Sequence, residues 1–411
     1  YPHVIIIEDN LDDVQLKGLY KFSNVLIAPS YGEGFGLPIA EAMYLGIPVI
    51  TTNFSGQKDF CNLLNSWLID FKFEYSDSHF NQLNSVWVIP SINDLASKMR
   101  ELFSLSPDLI KLKIDKAKND ITNFSWSNVA KKNLQYCNNL LETKSVNFPI
   151  IGWVTTWNSR CGISSYSANL LNDFDENIII LAPQDESLIN NDDFHVKRCW
   201  NLSKPSLDDI YIQCLNSNIT TLVFQFNFGF FDYKEFNYLI ERLLNKKIKI
   251  LIYMHSTIPP TTKSGLNELI SGLKKCNRIF AHTPKDLNRL KDFGLIDNVT
   301  LFPHGIPFYK PKKKGWLTPY KKSFPFFKAQ RVLLGTFGFC LPDKGFLELI
   351  YAIDLLRKSG FNIYLNMYIS IHQSELSLDT LRIIKELVSE LNLNDFIFIN
   401  SDFLQQSTIL D

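Results

Sequence analysis

Residues 24–52 constrain the fold of this chain more tightly than any other segment. Residues 24–29 form a short apolar run of the kind found in buried parallel strands. Pro38 suits the first turn of a helix, and Gly46 suits its end. A second apolar run, residues 47–52, follows at once. The segment therefore predicts a strand–loop–helix–strand unit whose loop lies at the carboxyl edge of a sheet, where α/β sheets bind ligands.

The loop of this unit, residues 30–41, combines three glycines with two glutamates. The glycines let the backbone approach a ligand closely, and the helix N-terminus behind them favours a diphosphate. Glu33 and Glu41 suit neutral hydroxyl groups, because a carboxylate accepts strong hydrogen bonds from sugar or ribose. A ligand with both a diphosphate and many hydroxyl groups is a nucleotide sugar. The alternative interpretation is an ordinary strand-to-helix turn with solvated glutamates.

Residues 28–50 resemble the donor site of family 4 glycosyltransferases, which are retaining enzymes of the GT-B fold. The resemblance rests on the two glutamates with seven residues between them, the glycines and the proline. It implies that Glu33 lies by the transferred sugar and that Glu41 holds the ribose. It also implies that the donor is contacted by the backbone amides of Gly34, Phe35, Gly36 and Leu37.

The composition excludes several other classes of protein. The chain has 411 residues with 42 basic and 42 acidic side chains, so no overall field favours nucleic acid. A hydrophobic fraction of 45% predicts sizeable cores rather than disorder. No apolar run reaches spanning length, and the expected location is the cytoplasm. The seven cysteines lack the close pairs of a metal site, which predicts buried thiols in a reducing cytosol. The sequence shows no metal cluster, and the resemblance implies a fold that usually needs no metal, so no cofactor is expected.

The two ends of the chain resemble each other. Residues 4–11 have the pattern of a strand followed by a polar turn, and residues 396–404 repeat it at an offset of 393 residues, from Leu11 to Leu404. Both stretches resemble the segment before the donor loop in the same family. They predict a fragment of a tandem, two-module protein. A second glutamate pair is then expected beyond Asp411.

Three domains follow from this order. Residues 1–145 are predicted to be the donor-binding C-terminal domain of a first GT-B module, incomplete at its start. Residues 146–325 are predicted to be the N-terminal, acceptor-side domain of a second module, and residues 326–411 the truncated start of its donor-binding domain. The predicted fold class is α/β, with Rossmann-like doubly wound parallel sheets. The pattern places strands in the middle domain at residues 178–181, 221–226, 249–254 and 278–281.

The middle domain contributes the predicted acceptor side. The resemblance implies that the loop with Arg160 and Gly162 lines the cleft, where the glycine allows close approach and the arginine meets a phosphate or acceptor anion. A solvated arginine is the alternative. His255 follows a strand, and many family members have a histidine there, close to the transferred sugar; a structural histidine is the alternative. His282 also ends a strand but has no assigned role, and His304 fits a turn.

The third domain carries a candidate phosphate ligand. A strand, a turn and a helix from Phe346 place Lys344 beside a helix N-terminus, where it reaches a diphosphate; a surface lysine is the alternative. Family members often have an arginine where this chain has Phe339, which favours binding without catalysis in the second module. Residues 310–331 carry eight basic side chains, which suit either an anionic lipid surface or a solvated linker.

The resemblance thus implies a retaining hexosyltransferase that moves a sugar from a nucleotide-sugar donor to a glycan or lipid-linked acceptor in polysaccharide biosynthesis. The fragment itself is expected to lack a complete site, and peripheral association with the inner face of the membrane is a further expectation. One alternative is a non-catalytic nucleotide-sugar-binding module. Another is a sugar-nucleotide-modifying enzyme such as an epimerase, which would need a G-x-G-x-x-G fingerprint that the sequence does not show.

Overall fold

The computed structural model describes residues 4–8, 11–77, 85–142, 149–172, 174, 177–204, 206–259, 265–305, 332–371 and 375–401. The chain forms two compact units, Tyr1–Gly305 and Ile306–Asp411. The division into three domains stays a prediction, because its boundaries at residues 145 and 325 lie outside the described residues. The basic stretch, residues 310–331, also lies outside them.

The first unit begins with a small parallel sheet that carries the glycine-rich loop. The sheet has the order β1-β2-β3, and an antiparallel hairpin of β4 and β5 follows it. Helices α2 and α4 cover one face of the sheet, and α3 covers the other. The strands are β1 (Leu26–Ala28), β2 (Val49–Thr52), β3 (Trp67–Ile69), β4 (Phe71–Tyr75) and β5 (Val86–Pro90). The helices are α1 (Asp13–Phe22), α2 (Leu37–Leu45), α3 (Ile92–Ser104), α4 (Pro107–Ile121) and α5 (Trp126–Glu142).

The rest of the first unit is built on a seven-stranded sheet with the order β12-β11-β10-β9-β6-β7-β8, in which every pair is parallel. The strands are β6 (Ile151–Val154), β7 (Ile178–Pro183), β8 (Val196–Trp200), β9 (Thr221–Phe226), β10 (Lys249–Met254), β11 (Arg278–Ala281) and β12 (Val299–Leu301). The helices are α6 (Gly162–Leu171), α7 (Asp208–Asn216), α8 (Tyr233–Asn245), α9 (Ile270–Leu273) and α10 (Pro284–Asp292). Apolar clusters cover both faces of the sheet. The predicted α/β fold with doubly wound parallel sheets is therefore confirmed.

The hairpin joins the two parts of the first unit. Phe71 and Phe73 are buried in the same apolar cluster as the α10 residues Leu287 and Leu290. The side chain of Asn288, also on α10, accepts a hydrogen bond from the N–H of Phe73 (2.7 Å) and donates one to its carbonyl oxygen (2.9 Å). The amide of this side chain thus substitutes for a neighbouring strand at the edge of β4.

Two ion pairs lie beside this contact. Lys58 lies 2.5 Å from Asp297, and Lys291 lies 2.6 Å from Asp70. Asp297 precedes β12, and Lys291 is near the end of α10, which runs back from the carboxyl edge. The small sheet and its hairpin therefore contact the seven-stranded sheet toward the amino edge of the latter.

The second unit is a three-stranded parallel sheet with the order β13-β14-β15 and two helices. Its elements are β13 (Val332–Phe339), α11 (Phe346–Lys358), β14 (Ile363–Ser370), α12 (Glu375–Glu390) and β15 (Ile397–Asn400). Alternate residues of β14 are buried against the helices. On the sheet, Phe337 stacks on Tyr368, and the side chains of Phe337 and Phe398 are exposed.

The structure corrects two expectations. Residues 4–8 were expected to form a strand, but they are not in a strand and their side chains are exposed. The matching β15 is a strand because β14 pairs with it, whereas no described strand pairs with residues 4–8. Residues 86–90 were expected to continue the α/β pattern, but they pair antiparallel with β4 instead.

Candidate functional site

The glycine-rich loop lies at the carboxyl end of β1 and leads into α2, as predicted. Gly36 begins the helix with φ of 89°, in the left-handed region that favours glycine, and Gly46 ends it with φ of 82°. Pro38 lies in the first turn. A Cβ atom on Gly56 would lie 2.3 Å from the carbonyl oxygen of Gly34. The loop after β2 therefore packs directly against the glycine-rich loop, residues 30–41, which is the predicted donor loop.

Glu33 is half-buried, and two serines hold it. The Ser30 hydroxyl donates to Oε1 of Glu33 at 2.7 Å. The Ser55 hydroxyl donates to the Glu33 carbonyl oxygen (2.6 Å) and accepts from the Glu33 N–H (3.2 Å). Ser55 itself has φ of 72°, which is uncommon for a residue other than glycine and often marks a functional site. The Ser55 contact was not predictable from local patterns, because Ser55 lies 22 positions after Glu33.

Glu41 lies on the exposed side of α2 and contacts Tyr20 of α1. The Tyr20 hydroxyl lies 3.2 Å from Oε2 of Glu41 and 3.3 Å from the carbonyl oxygen of Pro38. Burial and the charge of Glu41 raise the pKa of Tyr20 to about 12, so the phenol stays protonated and donates. Sequence analysis missed Tyr20, because the contact joins two helices rather than neighbours in one motif.

A cavity of about 950 Å³ adjoins this contact, between α1, α2 and the start of α5. Glu41 and Tyr20 lie in its wall, together with Phe35, Tyr44 and Trp126. The wall is mostly apolar and therefore suits a flat, weakly polar ring. Glu41 places a carboxylate beside this apolar surface.

The start of α2 suits an anion. No side chain of the described structure caps the helix there, and its first turn carries no acidic residue. The partial positive charge of the helix start is therefore not offset by a carboxylate within the first turn.

Arg160 lies in the loop between β6 and α6, and Gly162 begins α6; their acceptor-side role stays a prediction. Arg160 is exposed, and Gly162 is the first residue of α6 with open space where a Cβ would lie. Arg198 braces this loop through hydrogen bonds to the Trp157 carbonyl oxygen (3.1 Å) and to Glu186 (3.0 Å). The bracing joins β8 to the loop after β6, which local sequence patterns do not reveal.

His255 lies directly after β10, at the carboxyl edge of the large sheet. Its Nε2 lies 2.8 Å from Oε1 of Gln225. Burial, with His282 and His304 nearby, lowers the pKa of His255 to about 3, so the ring is neutral near neutral pH. The grouping of these histidines was not predicted, although each follows a strand of the same sheet.

Lys344 belongs to the second unit. It ends a short 3-10 turn, Pro342–Lys344, and Gly345 with φ of 71° begins α11 immediately after it. The predicted position beside a helix start is therefore observed. The side chain is exposed, and its Nζ lies 3.9 Å from Asp343.

The structure brings only some of the predicted site residues together. Glu33, Glu41 and the loop amides share one segment, as the spacing requires. His255 lies at the carboxyl edge of the large sheet, whereas the ion pair of Lys58, next to the donor loop, lies at the amino edge. Among the described residues, no hydrogen bond joins Glu33 or Glu41 to His255.

Other sequence-based expectations concern burial and membranes. Five of the six cysteines that the structure describes as free are buried, which confirms the expected buried thiols. Among the described helices, none combines the length and the apolar character needed to cross a bilayer.

The fold is that of an α/β protein with a glycine-rich loop at the carboxyl end of a parallel strand. Residues 2–77 match the family model described as Glycosyl transferases group 1. An uncharacterized glycosyltransferase of Methanocaldococcus jannaschii is 24% identical over 131 residues, which are 32% of this chain and 29% of that protein. O-antigen chain mannosyltransferase B of Escherichia coli is 49% identical over 41 residues, which are 10% of this chain and 11% of that protein.

The chain thus spans less than a third of the length of these curated relatives. Among solved structures, Anabaena HepE in complex with UDP is similar, with a TM-score of 0.49 and 11% identity over 64% of this chain and 71% of that one. Sucrose-phosphate synthase of Thermosynechococcus elongatus has a TM-score of 0.44 and 12% identity over 62% of this chain and 71% of that one. The match of residues 2–77 to the family model confirms the resemblance of this segment to glycosyltransferases. Membership of the retaining family 4 and the tandem arrangement stay predictions.

Proposed function

We propose that this chain carries the donor site of a retaining, family 4-like glycosyltransferase, which transfers a sugar from a nucleotide sugar to a hydroxyl acceptor. The observation that carries the proposal is the loop after β1. There Glu33 and Glu41 are both held by hydroxyl groups of the chain, within the segment that matches the glycosyltransferase family model. Glu33 is assigned to the transferred sugar and Glu41 to the ribose.

The site supplies the groups that such a reaction needs. The start of α2 and the amides of residues 34–37 stabilise the negative charge that develops on the leaving diphosphate. Tyr20 fixes Glu41 in one position, so its carboxylate is oriented for the ribose hydroxyls before the donor binds. The apolar cavity wall beside Glu41 offers a surface for the base. This chemistry needs no metal ion at the donor loop.

The role of the whole protein is proposed from its relatives. The short match to an O-antigen chain mannosyltransferase supports transfer of a hexose in polysaccharide biosynthesis. The acceptor is a glycan or a lipid-linked glycan, which would bring the protein to the inner face of the membrane. We assign residues 1–145 to a first GT-B module and the rest of the chain to a second.

A second function is favoured for the second unit by Phe339. In the resembling family an arginine that contacts the diphosphate often stands at this position. Lys344 remains as a cation beside the start of α11. This unit is proposed to bind a nucleotide sugar without catalysing transfer, and Lys344→Ala should weaken that binding.

Calorimetric titration of the chain with a panel of nucleotide sugars, including GDP-mannose and UDP-glucose, tests the donor site. One of them is expected to bind, and Glu41→Gln should weaken its affinity by about tenfold, the cost of about 1.4 kcal/mol for a charged hydrogen bond. Glu74→Gln, at an exposed position of β4, is the control and should bind as the wild type does. No binding by any donor, or equal binding by Glu41→Gln, would refute the proposal.

A further inference from the structure

Three histidines from distant parts of the sequence meet at the carboxyl edge of the seven-stranded sheet. His255 follows β10, His282 follows β11 and His304 lies shortly after β12. These strands are parallel neighbours, so their carboxyl ends lie side by side. One ring nitrogen of each histidine lies within 4.8 Å of the ring nitrogens of the other two.

Hydrogen bonds leave a lone pair on two of these rings. Nδ1 of His282 lies 2.8 Å from the carbonyl oxygen of Phe302, which only accepts, so Nδ1 carries the proton and Nε2 the lone pair. This Nε2 is buried and has no hydrogen-bond partner among the described residues. Nε2 of His255 donates to Oε1 of Gln225, which leaves the lone pair on Nδ1. A histidine oriented by an oxygen at one nitrogen and open at the other is the usual form of a metal ligand.

The surroundings of His255 and His304 favour the neutral form of these two rings. The pKa of His304 is lowered by burial and by His282, in the same direction as that of His255. Neutral imidazole does not attract an anion by charge, but it is the form that binds a transition metal. Tyr166 of α6 contacts all three rings, with ring centroids 4.7 Å to 5.8 Å apart, and its buried hydroxyl has no partner among the described residues.

We propose that His255, His282 and His304 form a binding site for a divalent transition-metal ion, with Zn²⁺ as the best-fitting ion. Three imidazole nitrogens suit Zn²⁺, Co²⁺ or Ni²⁺, whereas Mg²⁺ and Ca²⁺ prefer oxygen ligands. No carboxylate joins this group within the described part of the chain. The site goes beyond the proposed donor function, since it lies on the large sheet, away from the donor loop.

Binding requires a small rearrangement. With Zn–N distances of about 2.0–2.1 Å, tetrahedral ligands lie about 3.3 Å apart, so side-chain rotations must draw the three nitrogens together. His304 is exposed, which lets the ion enter from solvent. Three protein ligands leave the fourth position open to water or to a ligand, as in catalytic rather than structural zinc sites.

Titration of chelator-treated chain with ZnCl₂ by calorimetry, and with CoCl₂ by visible absorption, tests the site. One ion per chain and the absorption band of tetrahedral Co²⁺ are expected. His304→Asn is the first variant, because an exposed side chain is not needed for the core. It should lower the affinity for the metal ion by about tenfold or more. Loss of a residue that only hydrogen-bonds to a metal ligand already lowers metal affinity by about tenfold or more.

His282→Asn is the second variant and should have the same effect, with circular dichroism showing that it is folded. His195→Asn is the matched control, because His195 is an exposed histidine of the same unit, outside the cluster. Unchanged affinity in both variants, or an equal loss in the control, would overturn the metal site. Nucleotide-sugar titrations of the same samples separate this outcome from failure of the donor proposal, which does not involve His282 or His304.

Discussion

At the scale of single residues, the donor site depends on side chains that the motif does not contain. Tyr20→Phe removes the hydroxyl that donates to Glu41 and to the carbonyl oxygen of Pro38. We expect the variant to lose about 0.5–1.5 kcal/mol of unfolding free energy, the usual net value of a hydrogen bond, and to bind nucleotide sugar more weakly. Urea denaturation and calorimetry measure the two effects.

Tyr44→Phe is the control for this prediction. Tyr44 borders the same cavity, and its side chain is 67% exposed. Removal of its hydroxyl therefore costs little unfolding free energy. The variant should match the wild type in stability. Equal effects of the two substitutions would show that the hydroxyl of Tyr20 does not act through Glu41.

The glycines of the donor loop are not equivalent. Gly36 has φ of 89°, and a Cβ there would lie 3.1 Å from Cδ1 of Ile39, whereas a Cβ on Gly32 would meet no atom within 4 Å. Gly36→Ala should therefore cost about 1–2 kcal/mol of stability and shift the loop amides, whereas Gly32→Ala should leave stability unchanged. Thermal unfolding and nucleotide-sugar titration of both variants check the difference. A stable Gly36→Ala variant with full affinity would contradict it.

At the scale of elements, the contact between α10 and the hairpin of β4 and β5 includes one side chain, that of Asn288, which satisfies both backbone groups of Phe73. Asn288→Ala leaves these partly buried groups unpaired and should destabilise the unit by about 1–3 kcal/mol. Urea denaturation measures the loss. Lys285→Ala, at an exposed position of the same helix, is the control and should have little effect on stability. A similar loss of unfolding free energy in this variant would mean that the loss comes from the helix rather than from the amide of Asn288.

Local signals were enough to predict many elements. Pro38 and Gly46 mark the ends of α2, and the apolar runs gave the exact bounds of β9, β10 and β11, because caps and periodicity act between residues close in sequence. Contacts between distant segments were not predictable in this way. Tyr20 meets Glu41 only because α1 packs beside α2, and the residues 4–8 failed to form a strand because a strand also needs a partner.

The grouping of the three histidines could not be predicted from local patterns either. Each was recognisable as a residue that follows a strand, but their convergence depends on the order β12-β11-β10 in the sheet. Single-sequence patterns indicate that strands exist, and they do not state which strands are neighbours. The expectation of no metal ion rested on the resemblance and on the lack of a metal cluster in the sequence, and such clusters are recognised by their spacing along the chain. Spacing does not reveal ligands that come from three separate strands.

At the scale of the whole molecule, the arrangement of the first unit decides which residues can act together. The small sheet contacts the large sheet through Lys58 and Asp297, toward the amino edge of the large sheet. His255 lies at the carboxyl edge, and a strand of six residues such as β10 is about 20 Å long. We therefore expect the donor loop and the histidines to act as separate sites within this unit.

A double-mutant cycle tests this separation. Sites more than about 7–10 Å apart with no shared partners have additive effects within about 0.5 kcal/mol. We expect Glu41→Gln to weaken nucleotide-sugar binding, His255→Gln to leave it unchanged, and the double variant to match Glu41→Gln alone, as measured by calorimetry. A coupling energy above about 1 kcal/mol would mean that the two residues contact the same ligand. The donor loop and His255 would then form one active site across the unit, and the chain would hold a complete transferase rather than parts of two.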